Sequence, residues 1–234
     1  MLHKDGPQNK AVIWDMDGVI ADTAQYHFRS WQEVFGKRGV KFTEEQFRQH
    51  FGQRNDHIIK KTLGEEISPP EIDAIAAEKE KGFRGRIAQA QNLKPLPGVL
   101  ALMSALQEHQ FKMALASSGP WENIRLLVRT LGIGDYFRVI VAGRDVTESK
   151  PSPQIFLLAA EKLGVAPVNC IVIEDSVAGV TGAKRAGMYC LAVTTTHPRG
   201  NLAAADIIVD TLTRVSVSDL ENLFVSSLKQ AKEK

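Results

Sequence analysis

Short apolar runs recur six times along the chain. Each is rich in Val, Ile, Leu or Ala and too short for a helix, which is typical of strands buried on both faces of a parallel sheet. Amphipathic segments of helical length lie between the later runs, and this alternation predicts a doubly wound α/β fold. The runs are KAVIWDMD, FKMALASS, FRVIVAG, NCIVIEDS, MYCLAV and ADIIVD, and helices are predicted over residues 98–110, 121–131, 153–163 and 177–186.

The stretch of residues 23–94 breaks this alternation. It has helical periodicity and no segment that we interpret as a strand. A first helix carries Tyr26, Trp31 and Phe35, and further helices are predicted over residues 44–50, 56–63 and 70–91. We therefore predict two domains, an α/β core of residues 1–22 and 95–234 and an all-helical insertion of residues 23–94.

Length and composition exclude several classes of protein. The chain has 234 residues, of which 44% are hydrophobic and 24% charged. These values are ordinary for a globular protein and unlike a disordered chain, a collagen-like fibre or a disulfide scaffold. The net charge of +2 argues against a nucleic-acid binder that relies on bulk positive charge. The oligomeric state stays open, and a monomer is compatible with the sequence.

The cysteines and the N-terminus favour a reduced, cytoplasmic protein. Cys170 and Cys190 lie in apolar runs, where we interpret them as buried thiols. The first ten residues lack the apolar stretch of a signal peptide and are predicted to form a loose tail. No apolar run approaches the ~20 residues that a membrane span needs, so no membrane partner is expected.

Acidic and polar residues stand at the ends of four predicted strands. In an open α/β sheet ligands bind outside these carboxyl ends, so we expect the residues to share one site. Carboxylates that lie together without a cationic partner repel one another, which raises their pKa values. A divalent cation offsets this repulsion. Oxygen ligands without His or Cys favour Mg²⁺ over zinc. The strand ends carry Asp15-Met16-Asp17-Gly18, Ser117-Ser118-Gly119, Lys150 in SKPSP, and Glu174-Asp175.

Each of these segments alone is more often structural than catalytic. An acid pair often caps a helix or faces solvent, Lys-Pro is a common loop sequence, and Glu174-Asp175 could cap the next helix. Their occurrence together, in this order and each at a predicted strand end, indicates a catalytic site.

The set of motifs resembles the haloacid dehalogenase-like superfamily of phosphotransferases, over about residues 11–210. Asp15-Met16-Asp17-Gly18-Val19 resembles its first motif, and Ser117, Lys150-Pro151 and Glu174-Asp175 resemble the other three. The resemblance implies a Rossmann-like core with a mobile cap domain, for which residues 23–94 are the candidate. The segment DTAQYHFRSW looks closest to the branch that contains β-phosphoglucomutase and small sugar-phosphate phosphatases.

The resemblance implies a reaction through a covalent intermediate. Asp15 would attack phosphorus and form an aspartyl-phosphate, and Asp17 would act as general acid and then as general base. Mg²⁺ would be bound by Asp15, the Asp17 carbonyl, Glu174 and Asp175. Dehalogenases of the superfamily need neither the second aspartate nor a metal, so the expected substrate is a phosphorylated small molecule.

The resemblance also places residues on the phosphoryl group. Lys150 and the Ser117 hydroxyl would hold its oxygens, together with backbone N–H groups near Asp17 and Ser118. Gly18 would leave room for close approach of the backbone. In phosphoryl transfer, such positioning and charge neutralisation supply most of the catalysis.

Four residues of the helical insertion are candidates for substrate binding. His27 and Trp31 share one helix face, although Trp31 could equally be core and His27 its hydrogen-bonding neighbour. Arg54 stands one residue earlier than the Arg of the mutase pattern Gly-x-Ser-Arg. Lys79 matches a lysine of the mutase, but the charged run AAEKEKGFRGR around it is typical of a solvent-facing surface.

Departures from the mutase pattern favour a phosphatase. The second motif continues as Ser117-Ser118-Gly119-Pro120, without the lysine that helps the mutase to hold a non-transferring phosphate. A mutase must hold both phosphates of a bisphosphate intermediate, whereas a phosphatase need only admit water. We expect a Mg²⁺-dependent phosphatase of small metabolites such as sugar phosphates. The alternatives are a β-phosphoglucomutase-type mutase and a non-catalytic phosphate-binding protein.

Overall fold

A computed structural model describes residues 9–230, with side chains through residue 225. The predicted N-terminal tail lies mostly outside this range. All six apolar runs form strands of one parallel sheet, ordered β3-β2-β1-β4-β5-β6. The strands are β1 (Ala11–Trp14), β2 (Lys112–Ala116), β3 (Val139–Val141), β4 (Cys170–Glu174), β5 (Tyr189–Val193) and β6 (Ile207–Val209).

Nine α-helices accompany the sheet within the described residues. Each helix that the sequence predicts with bounds begins and ends within about two residues of the observed one, and only the last helix has no predicted counterpart. They are α1 (Ala24–Gly36), α2 (Glu44–His50), α3 (Asn55–Leu63), α4 (Pro69–Gln89), α5 (Val99–Glu108), α6 (Trp121–Leu131), α7 (Gln154–Leu163), α8 (Val177–Arg185) and α9 (Val217–Gln230).

The sheet is covered by an apolar layer on each face. Val12 and Trp14 of β1 belong to one layer and Ala11 and Ile13 to the other, because successive side chains of a strand point to opposite faces. Helices α5, α6 and α9 contribute to the first layer, and α7 and α8 to the second. The prediction of a doubly wound α/β core is thereby confirmed.

The strand order reverses at β1, which lies between β2 and β4. In the register of the sheet, Trp14 lies beside Leu115 of β2 and Ile173 of β4. The residues that follow these positions therefore share one edge of the sheet. Open α/β sheets bind their ligands at such a reversal point, outside the carboxyl ends of the strands.

Helices α1–α4 form a helical segment with an apolar cluster of its own. Aromatic rings dominate this cluster, and Trp31 stacks on Phe35 with ring centroids 5.0 Å apart. Phe83 and Ile87, near the end of α4, instead join the first core layer. The domain limits at residues 22/23 and 94/95 stay a prediction. The cluster consists of Phe28, Trp31, Val34, Phe35, Phe42, Phe47, Phe51, Ile58, Ile59, Ile72 and Ile75.

The two cysteines are free, buried thiols, as the sequence predicts. Burial raises the pKa of Cys170 to about 12, so its thiolate is scarce and the thiol is inert. No helix in the described part of the chain is long and apolar enough to cross a membrane.

Gly98, which precedes α5, has a backbone that only glycine accommodates. Its φ is +89°, and a Cβ there would lie 2.3 Å from the backbone nitrogen of Thr213. We expect Gly98→Ala to lower the free energy of unfolding by about 2–4 kcal/mol, because left-handed backbone and overlap with a neighbouring chain segment both cost free energy. Urea unfolding measures this change.

Gly85→Ala is the matched control for this prediction. Gly85 lies on an exposed part of α4, and a Cβ there would meet no atom within 4 Å. The substitution should raise the free energy of unfolding by about 0.5–1 kcal/mol, since Ala is the better helix former. Equal unfolding midpoints for the two variants would contradict the backbone assignment of Gly98.

Candidate active site

A buried lysine joins the carboxyl ends of β1 and β4. Nζ of Lys150 donates to Oδ1 of Asp15 at 2.7 Å and to Oε1 of Glu174 at 2.5 Å. Burial lowers the pKa of Lys150, but the charges of both carboxylates outweigh it and the pKa is raised. Lys150 is therefore an ammonium that neutralises part of the negative charge at this edge of the sheet.

The other carboxylate oxygen of Glu174 is held by the start of α8. Oε2 accepts from the backbone nitrogens of Asp175 at 2.8 Å and Ser176 at 2.9 Å, and from Oγ of Ser176 at 2.9 Å. Ser176, and not the acid pair, caps α8 by accepting from the nitrogen of Gly179. A Cβ on Gly179 would lie 1.9 Å from the Glu174 carboxyl, so glycine permits this close approach.

Three carboxylates at this edge form a candidate metal centre. Oxygens of Asp15, Glu174 and Asp175 lie within 4.8 Å of one another, and all three residues are buried. Burial and the charge of Glu174 raise the pKa of Asp15 to about 7 against the opposing charge of Lys150. Burial and both neighbouring carboxylates raise the pKa of Asp175 well above its usual value. Uncompensated charge on oxygen donors fits a hard divalent cation such as Mg²⁺.

Gly18 lies against this cluster. Its φ is +80°, and a Cβ there would lie 1.9 Å from Oδ2 of Asp175. Oγ1 of Thr196 donates to the same oxygen at 2.6 Å. Glycine is therefore needed at position 18 for the backbone to pass beside the candidate metal ligand.

Asp17 turns its carboxylate toward the helical segment. Its Oδ1 accepts from Oγ1 of Thr23 at 2.5 Å and from Nε2 of His27 at 3.2 Å. Nδ1 of His27 lies 2.8 Å from Nζ of Lys79. Because an ammonium only donates, Nδ1 accepts, and we assign the ring proton to Nε2. Burial raises the pKa of Asp17, but its contacts with His27 and Thr23 outweigh burial and keep the pKa below its usual value.

A narrow cavity lies between the sheet edge and the helical segment. Oγ of Ser117, in its wall, accepts from the nitrogen of Gly119 at 3.1 Å. Lys150, Glu174 and Asp175 are not in the cavity wall. They lie behind it, where Lys150 contacts Asp15 and the two acids form the carboxylate cluster with Asp15. Seven residues singled out from the sequence line the wall: Asp15, Asp17, His27, Trp31, Lys79, Ser117 and Ser118.

Arg54 does not line this cavity. Its guanidinium donates to the carbonyls of Val146 at 3.0 Å and Thr147 at 3.3 Å, and pairs with Asp56 at 3.2 Å. Arg54 lies in a neighbouring groove with Arg144. The structure therefore shows Arg54 in a contact between α3 and the loop after β3, and its role in substrate binding stays a prediction.

Lys79 is buried, with 3% of its surface exposed, so the solvent-facing alternative is wrong. It pairs with Glu80 at 2.8 Å. The burial of Lys79 could have been predicted from the helical periodicity of α4, because Lys79 lies four residues from each of the buried Ile75 and Phe83. The cavity residues that the sequence analysis did not single out include Phe47, Phe51, Gln53, Asn55 and Glu80.

Known proteins are similar to this chain in sequence. The family model of haloacid dehalogenase-like hydrolases matches residues 9–187. A β-phosphoglucomutase of Bacillus subtilis is 33% identical over 205 residues, which cover 86% of this chain and 88% of that protein. A phosphorylated carbohydrates phosphatase of Thermotoga maritima is 34% identical over 182 residues, covering 76% and 82%.

A solved structure extends the similarity to three dimensions. The crystal structure of a β-phosphoglucomutase from Clostridium difficile matches with a TM-score of 0.86 at 28% identity, covering 94% of this chain and 98% of that one. The chain therefore belongs to the haloacid dehalogenase-like hydrolase family.

Proposed function

We propose that the chain is a Mg²⁺-dependent phosphatase of small phosphorylated metabolites, with sugar phosphates as its substrate class. The observation that carries the proposal is the position of Asp15, which lines the cavity together with Asp17 and also belongs to the buried carboxylate cluster. The names of the two relatives, one a phosphoglucomutase and one a phosphatase of carbohydrates, support sugar phosphates. Free, buried thiols are compatible with the cytoplasmic location that we also propose.

Asp15 is the nucleophile of the first half-reaction. One of its carboxylate oxygens attacks phosphorus, and the bond from phosphorus to the leaving oxygen breaks, which forms an aspartyl-phosphate. Lys150 orients Asp15 through the 2.7 Å hydrogen bond to Oδ1. Asp15, Glu174, Asp175 and the Asp17 carbonyl would hold Mg²⁺, which would supply positive charge for the phosphoryl oxygens when bound.

Asp17 is the general acid of the first half-reaction and the general base of the second. Thr23 and His27 both contact Oδ1, so we assign proton transfer to Oδ2. Protonated Asp17 gives its proton to the leaving oxygen as the bond to phosphorus breaks. It then takes a proton from the water that attacks the aspartyl-phosphate, and Asp15 and inorganic phosphate are released. Approach of an anionic phosphoryl group raises the pKa of Asp17 and so favours the protonated form.

A phosphomutase is the second candidate, because one relative is a β-phosphoglucomutase and Lys79 lines the cavity. Two observations favour the phosphatase. Arg54 is engaged by backbone carbonyls outside the cavity. The loop Ser118-Gly119-Pro120 beside the cavity offers no cation for a second phosphate.

Replacement of the nucleophile tests the reaction path. We expect Asp15→Asn to lower kcat for p-nitrophenyl phosphate by at least ~10³-fold, because an amide oxygen does not form the intermediate. Asp22→Asn is the matched control, because Asp22 is an exposed aspartate just before α1. This variant should keep the wild-type activity. Circular dichroism checks that both variants fold, and wild-type activity in Asp15→Asn would contradict the assignment.

Metal removal tests the carboxylate cluster. Turnover of p-nitrophenyl phosphate and acetyl phosphate should be lost with EDTA and return with added Mg²⁺. Mg²⁺ at about 100 times its Kd should raise the Tm by about 5 °C or more, and by less in Asp175→Asn. Turnover that survives EDTA would contradict the metal assignment. Absence of turnover with Mg²⁺ would favour the non-catalytic phosphate-binding alternative.

A product assay separates phosphatase from mutase. The enzyme is incubated with β-glucose 1-phosphate, Mg²⁺ and a glucose bisphosphate primer. We expect free glucose and inorganic phosphate, because water is the acceptor of the phosphoryl group. Accumulation of glucose 6-phosphate would identify the mutase instead.

A further inference from the structure

The helical segment places two opposite charges side by side in the cavity wall. Lys79 and Glu80 are 3% and 4% exposed, and Nζ of Lys79 lies 2.8 Å from Oε1 of Glu80. Burial raises the pKa of Glu80, but the charge of Lys79 and its hydrogen bond outweigh burial, so the pKa is lowered and Glu80 is ionised. The two charges cancel, and this pair leaves no net charge on its part of the wall.

Two N–H donors of Lys79 already have acceptors. One N–H bond points to Nδ1 of His27 at 2.8 Å and another to Glu80 at 2.8 Å. The ammonium also lies 5.0 Å from the centre of the Trp31 ring and 5.5 Å from that of Phe83. Two of the three N–H bonds of the ammonium are thus used, and its charge is balanced by Glu80 and stabilised by the two rings. A phosphate placed here would lose its hydration without gaining a free cation.

The same wall does offer acceptors for hydroxyl groups. Glu80 accepts three hydrogen bonds, from Lys79 and Asn55 at Oε1 and from Asn123 at Oε2. A carboxylate has about four lone-pair sites, so one site at Oε2 is left for a further donor. Oε1 of Gln53 is buried, and it has no hydrogen-bond partner among the described residues. Gln53 and Glu80 both line the cavity. A buried acceptor without a donor, such as Oε1 of Gln53, is unfavourable, and one ligand hydroxyl would satisfy it while another donates to the spare lone-pair site of Glu80.

We propose that Glu80 and Gln53 are specificity-determining residues that select an uncharged, hydroxyl-rich leaving group. The natural substrate is then a monophosphate of a sugar or sugar alcohol, and a bisphosphate is disfavoured. This inference rests on the proposed phosphatase function. It adds the chemical class of the leaving group and the residues that would bind it.

A competing site for a second phosphate lies just outside the cavity. Arg144 stacks on Trp121 at 5.3 Å and lines the neighbouring groove with Arg54 and Ser118. A long bisphosphate that reached this groove would gain a cation. Preference for bisphosphates would therefore point to Arg144 and away from Glu80.

The test compares phosphate release from three substrates: a hexose 6-phosphate, the matching 1,6-bisphosphate and p-nitrophenyl phosphate. The wild type should show kcat/KM at least ~10-fold higher for the hexose monophosphate than for the bisphosphate. Glu80→Gln removes the charge that balances Lys79, and this ratio should fall by ~10-fold. Because both hexose substrates use the same Asp15 and Asp17, the ratio cancels any effect of the variant on the chemical step.

Glu78→Gln is the matched control. Glu78 lies on α4 two residues earlier, but it pairs with Lys37 and Arg38 away from the cavity, so the substrate ratio should stay at the wild-type value. Gln53→Leu is the second variant, used if Glu80→Gln does not fold. It should raise KM for the hexose monophosphate ~5-fold more than KM for p-nitrophenyl phosphate, which carries no hydroxyl on its leaving group.

The outcomes separate the inference from the function on which it rests. Wild-type preference for the bisphosphate overturns the inference alone. So does a ratio in Glu80→Gln that matches Glu78→Gln, or an equal rise in both KM values in Gln53→Leu. Absence of turnover of all three substrates by the Mg²⁺-loaded wild type overturns the proposed function and the inference with it.

Discussion

The ammonium of Lys150, shared between the carboxylates of Asp15 and Glu174, is the contact on which the site depends. It lies 2.7 Å from one oxygen and 2.5 Å from the other, and it joins two strands that are neighbours where the strand order reverses. Removing one partner of such a buried pair costs about 3–5 kcal/mol, because the other charge is left alone. One lysine cannot balance three carboxylates, and a divalent cation among them would favour the ionised form of Asp175, whose pKa is raised without it.

A second chain of contacts links the sheet edge to the helical segment. Asp17 accepts from His27, His27 accepts from Lys79, and Lys79 is balanced by Glu80. The group that we propose for proton transfer is thus oriented by side chains that also line the cavity. We therefore expect substitutions along this line of contacts to be non-additive.

Most of the fold could be predicted from local patterns. Buried parallel strands are short apolar runs, and the motif residues follow them directly, so Asp15, Ser117 and Glu174 could be placed at one edge. Contacts between distant segments could not be predicted in this way. The burial of Glu80 is made tolerable by hydrogen bonds from Asn55 and Asn123. Both partners are distant in sequence, so no local pattern predicts these contacts. The contacts of Arg54 with carbonyls in a loop about ninety residues away could not be predicted either.

The proposed phosphatase reaction requires Asp15 to hold the phosphoryl group covalently between attack and hydrolysis. This step can be observed by rapid acid quenching of the Mg²⁺-loaded enzyme with a ³²P-labelled sugar phosphate, followed by peptide mapping. A hydroxylamine-labile label should appear on the peptide that contains Asp15 before phosphate release is complete. A label on another peptide, or single-turnover phosphate release with no labelled enzyme at any quench time, would contradict it.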